Sequence, residues 1–206
     1  MRAADAYGEL LRIGRPIIET REAAARLHVS VSSASHVLRS MQEAGLVRRL
    51  RQGFWTLDAD VDPFVLAPYL TAPFPAYISF WSALARHDMI EQIPRQISVA
   101  SLDRTRHLKT TIGTYSIHHL VPELFEGYHG SQESGYLATP EKALFDTVYI
   151  RAARGARIFL PELSLPEDFD ETQLEGWAHS IATPRLRTLV SRGLEEALRQ
   201  ASRETA

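Results

Sequence analysis

Cysteine is absent from the 206 residues. Disulfides, thiolate metal sites and a cysteine nucleophile are therefore excluded. No run of about 18 apolar residues occurs, which argues against a membrane-spanning helix. The opening MRAADAYGELLRIG alternates polar and apolar residues and has no signal-peptide core, so a cytoplasmic location is expected. No Gly-rich phosphate loop and no Gly-x-Ser-x-Gly elbow is found. What is present is the balance of an ordinary folded protein, 45% hydrophobic and 23% charged. The length fits one large domain or two small ones, with a core that needs no staples.

The net charge of -2 speaks against a polyanionic partner only until it is divided along the chain. Residues 1–57 hold nine Arg, no Lys and five acidic residues, a net +4. Residues 58–206 hold fourteen basic and twenty acidic residues, a net -6. A basic first quarter on an acidic remainder points to two modules with different partners.

In the basic quarter, Ala3 to Ile13 reads as a helix with Tyr7, Leu10 and Leu11 on one face, ended by Gly14-Arg15-Pro16. A second helix carries Ala23, Ala24 and Leu27 inward, with Thr20 as its expected cap. Ser30 or Ser32 caps a third, running to about Ala44, whose apolar face is Ala34, Val37, Leu38 and Met41. Ser32, Ser33, Ser35, His36 and Arg39 are left facing outward. Leu46–Leu50 and Phe54–Leu57 flank a Gly-containing turn and read as a hairpin. Helix, helix, turn, helix and basic hairpin make the winged helix-turn-helix plan. Short serine side chains allow a helix backbone to approach base edges in the major groove. His36 and Arg39 can reach bases or phosphates, and Arg48, Arg49 and Arg51 put charge on the wing. These eight residues are the expected DNA contacts. The other reading is a small helical interaction module with a solvated basic face.

Residues 58–76 read as a Pro- and Asp-rich connector with a helical turn around Phe64 to Tyr69. Residues 77–200 read as a mixed α+β domain, and 201–206 as a frayed tail. Ser79 can cap a helix bearing Phe80, Trp81, Ala83 and Leu84. Ile97–Ala100 and Gly113–His119 read as strands. Thr139-Pro140-Glu141 is a strong helix start. Helices are also expected over 171–181 and from Pro184 to Gln200.

The strings Tyr77-Ile78-Ser79-Phe80-Trp81-Ser82-Ala83-Leu84, Glu91-Gln92-Ile93-Pro94 and Ile112-Gly113-Thr114-Tyr115 stand in this domain. So do Pro122-Glu123-Leu124-Phe125-x-Gly127-Tyr128 and Ala138-Thr139-Pro140-Glu141-Lys142-Ala143-Leu144-Phe145-Asp146. In this order they resemble the AbiEi antitoxins of type IV toxin–antitoxin systems, over residues about 5 to 160. The resemblance implies a bacterial protein whose N-terminal winged helix represses its own operon at inverted repeats. It further implies a C-terminal antitoxin domain that opposes a nucleotidyltransferase toxin without needing a stable complex with it. It carries over no catalytic residue.

The second module offers little chemistry of its own. Glu141 and Lys142 are adjacent at a helix start and do not match the Glu-x-Lys of a metal-dependent nuclease. His118 and His119 point to opposite faces of one strand and cannot share an ion. His107 and His129 lack metal-ligand spacing. No metal and no cofactor are expected. Glu141, Lys142 and Asp146 read as a helix cap with a surface ion pair, or else as a partner surface. Arg104, Arg106 and Lys109 read as a solvated basic loop, or as a second nucleic-acid or partner contact. Phe80, Trp81, Tyr115, Phe125 and Tyr128 read as core packing rather than a base-stacking platform. Three functions stay open. The first is a DNA-binding autorepressor and antitoxin that is not an enzyme, acting as a dimer or cooperatively on DNA. The second is a stand-alone winged-helix transcription factor with a ligand-sensing or dimerising C-terminal domain. The third is a winged-helix-targeted nuclease or RNA-modifying enzyme.

Overall fold

The computed structural model describes residues 3–58, 60–157 and 160–204, and opens with helix α1 (Ala3–Leu11). Strand β1 (Ile17–Glu19) follows, which the sequence reading does not anticipate. Three residues are too few to show a period, and both isoleucines are buried, one in each of two separate clusters. Helix α2 (Thr20–Arg26) is capped by Glu19 and Glu22, which satisfy each other's end of the first turn. Thr20, the expected cap, instead accepts a hydrogen bond from Trp55 Nε1 at 3.0 Å. Helix α3 (Val31–Glu43) is capped by Ser30, whose Oγ accepts from Ser33 N at 3.1 Å. It buries Ala34, Leu38 and Met41 against α1 and α2, and stops before Gly45, whose φ of +73° suits glycine. Strands β2 (Arg48–Arg51) and β3 (Phe54–Thr56) form the expected hairpin. With β1 they make a three-stranded antiparallel sheet in the order β1-β3-β2.

A 3-10 turn (Pro63–Leu66) and helix α4 (Ala67–Thr71) lead into the second sheet. Its strands are β4 (Ala76–Ile78), β5 (Ile97–Ser101), β6 (Arg106–Lys109), β7 (Thr114–His119), β8 (Tyr128–Ser131) and β9 (Gly135–Ala138). The order is β6-β7-β5-β4-β9-β8, mixed parallel and antiparallel. The basic connection expected over 101–109 thus contains an edge strand. Helices α5 (Phe80–Arg86) and α6 (Pro140–Ala153) cover one sheet face, and α7 (Glu171–His179) and α8 (Pro184–Glu204) pack on α6 from outside. Helix α8 passes through the expected frayed tail and buries Ala201, while residues 205–206 lie outside the described residues. The fold is mixed α+β.

The opposite face of the large sheet presents Ile78, Val99, Tyr115 and Ile117. Val65, Leu66 and Leu70 of the connector cover it, joined by Ile17 of β1 and Leu50 of β2. The expected boundary at residue 57 therefore falls beside a hydrophobic cluster shared by both sheets. Thr111, in the β6–β7 turn, adds polar links: its amide donates to Leu50 O at 3.0 Å and its hydroxyl to Arg49 O at 2.8 Å. Among the described residues no helix is long and apolar enough to cross a membrane.

Candidate nucleic-acid interface

Helix α3 presents an outer face of mostly small polar residues because Ala34, Leu38 and Met41 are consumed inward, while Val31 at its start stays exposed on the cleft. Ser32, Ser33, His36 and Arg39 are exposed, and Ser35 is half-buried. Two serine hydroxyls are engaged locally: Ser33 with Ser30 at 2.9 Å, and Ser35 donating to Val31 O at 3.0 Å. Arg39 Nε donates to Ser35 O at 3.3 Å, which holds the guanidinium back along the helix toward the hairpin.

The hairpin forms the other wall. Arg48 and Arg49 are exposed, and the Arg49 guanidinium lies 5.7 Å from the centre of the Trp55 ring. Trp55 is itself fixed by Thr20, whose amide also donates to Gly53 O at 2.9 Å. The hairpin turn is thereby tied to the start of α2. Between α3 and the hairpin opens a cleft of about 560 Å³. Ser35, Arg39 and Arg49, three of the eight expected contacts, line it together with Arg21, Gln52 and Phe54. Glu19 is the cleft's acidic residue, 3.7 Å from Arg21. Three guanidinium groups against one carboxylate give the cleft a positive field. Arg21 and Gln52 were not expected there. Arg21 sits on the polar side of α2, a helix whose residues spoke only for its inner face.

Ser32, Ser33, His36 and Arg48 are exposed outside the cleft lining. Arg51 turns elsewhere. It is half-buried, its guanidinium rests 4.2 Å from the centre of the Phe54 ring, and its Nε is buried without a partner among the described residues. Burial, and then the charge of Arg106, lower its pKa from the usual value. Arg51 faces the second module.

The six residues expected as a partner surface separate. Arg104 and Lys109 are exposed. Arg106 is a clamp: it pairs with Asp103 at 2.7 Å and donates to Leu70 O at 2.8 Å, joining β6 to α4. Glu141 is buried and accepts from Asp170 N at 3.1 Å, holding the start of α7. Lys142 and Asp146 correct the expectation most sharply. They are ion-paired as their spacing implies, but both side chains are fully buried and belong to no surface. Asp146 also accepts from Ser79 Oγ at 2.7 Å and Tyr77 OH at 3.0 Å. The Lys142 ammonium lies 5.0 and 5.3 Å from the Phe145 and Trp177 ring centres. Burial raises the Asp146 carboxyl above its usual value, against the pull of Lys142, Ser79 and Tyr77. Helix α6 is enclosed by the sheet, α5, α7 and α8, so its i,i+4 pair has no solvent-facing side. Phe80 and Tyr115 are core residues, and Trp81, Phe125 and Tyr128 pack partly buried beside them.

Compared with known protein families and with curated proteins, the chain matches none.

Proposed function

We propose that the N-terminal module is a winged helix-turn-helix that binds double-stranded DNA, and that the chain is the autorepressor and antitoxin of a type IV toxin–antitoxin system. One observation carries the DNA half: Arg39 of α3, with Ser35 one turn before it, and Arg49 of the hairpin line opposite walls of a single cleft. The order helix, strand, helix, helix, strand, strand supports the winged-helix reading, because β1 supplies the third strand of the wing sheet. On this reading α3 enters the major groove. Its serines let the backbone approach, and Arg39 meets base edges or phosphates. Arg48 and Arg49 meet the phosphate backbone beside it, as does Arg21 across the cleft.

The antitoxin half rests on the AbiEi resemblance of residues about 5 to 160. The partner is a nucleotidyltransferase toxin opposed without an obligatory stable complex. On this reading the protein binds and does not catalyse, and two copies occupy an inverted repeat.

A mobility-shift titration on the protein's own promoter tests the DNA half. Binding should weaken steeply with salt. Arg39→Ala and Arg49→Ala should each flatten the slope of log K against log salt by about 1 where a phosphate contact is lost. Binding insensitive to salt, or unchanged in the double variant, would refute it. Growth on co-expression with the neighbouring toxin gene tests the other half. The full-length chain should restore growth, and so should Arg39→Ala/Arg49→Ala expressed from a foreign promoter. Failure of the full chain to rescue removes the antitoxin reading while leaving the DNA reading intact.

A further inference from the structure

At the β7 side of the helix layer, beside α6, His118 packs edge-on against Phe80, with ring centres 4.7 Å apart. There a cavity of about 280 Å³ is lined by Trp81, Ser98, His118, Arg151, Arg154 and apolar neighbours including Phe80 and Ile150. Its polar lining is rich in donors and contains no carboxylate. Arg151 lies in the last turn of α6 and Arg154 caps its end; Arg151 Nη1 donates to Arg157 O at 3.4 Å, and neither arginine has a carboxylate partner among the described residues. Arg151 is held 6.0 Å from the centre of the Trp81 ring. Trp81 Nε1 is buried and has no hydrogen-bond partner among the described residues.

Arg154 is positioned by His118. Its Nη2 lies 2.8 Å from His118 Nδ1, and a guanidinium only donates, so Nδ1 accepts. The proton then sits on Nε2, 3.1 Å from Ser116 Oγ. Burial, then the charges of Arg154 and His107, lower the His118 pKa to about 4, which keeps the ring neutral and accepting.

Arginines in the last turn of a helix do complement its dipole. That accounts for neither the orphaned indole N–H nor two guanidinium groups beside it that lack a carboxylate among the described residues, in a module of net charge -6. An oxyanion answers all of these at once, since a guanidinium fork matches phosphoryl oxygens. We propose that this cavity binds a phosphoryl group carried on a small organic molecule, a phosphomonoester. Arg151, Arg154 and the Trp81 N–H hold the oxygens, and Phe80, the Trp81 ring and Ile150 form an apolar wall for the organic part. The site belongs to the second module and does not depend on the DNA or antitoxin reading.

Calorimetric titration of the full chain tests it, with inorganic phosphate and adenosine 5′-monophosphate in separate runs. The nucleotide should bind at one site per chain and more tightly than phosphate. Arg151→Ala/Arg154→Ala should weaken it by about tenfold or more, the loss expected for hydrogen bonds to a charged group. Trp81→Phe, which keeps the ring and removes the donor, should weaken it by about threefold. Arg154→Gln, at an exposed position, gives the same test should the double variant not fold. Promoter binding of the apo protein should be unchanged in all variants. No heat with either probe, or equal binding by wild type and Arg154→Gln, overturns the site. Phosphate binding as tightly as the nucleotide overturns the apolar wall. Loss of promoter affinity in these variants would overturn the small-molecule assignment in favour of a DNA backbone contact.

Discussion

Removing the ammonium of Lys142 would leave the Asp146 carboxylate buried with two hydroxyl donors and no counter-charge. Lys142→Met keeps the stem and the volume, and should still cost about 3–5 kcal/mol, measured by denaturant unfolding. Gly127 closes the same pocket from above. Its φ is +73°, and an added Cβ would lie 2.7 Å from Trp177 Cζ2 and 3.1 Å from Lys142 Cδ. Gly127→Ala should therefore cost about 2–3 kcal/mol, through backbone strain and overpacking together. His118 sets a pH dependence. Its folded pKa of about 4 lies below the unfolded value of 6.5, so the unfolded chain takes up more protons between them. The contribution is present above pH 6.5 and is lost as pH falls toward 4. His118→Gln should flatten that part of the stability–pH curve by about 2 kcal/mol, the ring being only partly enclosed.

At the scale of elements, the clearest sequence signals were chemical. Thr139-Pro140 reads as a helix start, and Thr139 Oγ1 does accept from Lys142 N at 3.2 Å. Ser30 caps α3 for the same reason. The solvent side of α6 was not legible, because Lys142 and Asp146 at i,i+4 look the same on a surface as in a core. Only the packing of α7 and α8 over α6 makes the difference. Strands β1, β4, β6, β8 and β9 were missed because each is three or four residues long. In β8, Tyr128-His129-Gly130-Ser131 carries no alternation to read. Of the cleft, Arg39, Arg49 and Ser35 were legible from the helix and hairpin patterns, while Arg21 and Gln52 emerge only when β1 draws α2 to the wing. Thr20 makes that attachment. Thr20→Val should leave the Trp55 N–H buried and unpaired at a cost of about 1–2 kcal/mol. On the proposed DNA reading, promoter affinity in a mobility shift should fall with it, since the hairpin turn then keeps, toward α2, only the bond from the residue-20 amide to Gly53 O.

At the scale of the molecule, the two sheets share a core. Leu50 is 1% exposed on the wing strand yet packs among residues of the large sheet and connector. Leu50→Ala should cost about 2–4 kcal/mol, and calorimetry should show one cooperative transition shifted as a whole rather than a low-melting wing. The charge split at residue 57 is not a division of hydrophobic cores.

Thr111 has a last consequence, for assembly. Strand β2 is one of the two outer strands of the small sheet, and an uncovered outer strand is a template on which a neighbouring chain can lay another. The Thr111 amide and hydroxyl occupy the carbonyls of Arg49 and Leu50 along that edge. On the proposed reading, two copies on an inverted repeat are thereby kept from pairing edge to edge along β2. On that reading, spacing between half-sites falls to the β1 edge, the helices, the large sheet and the DNA itself.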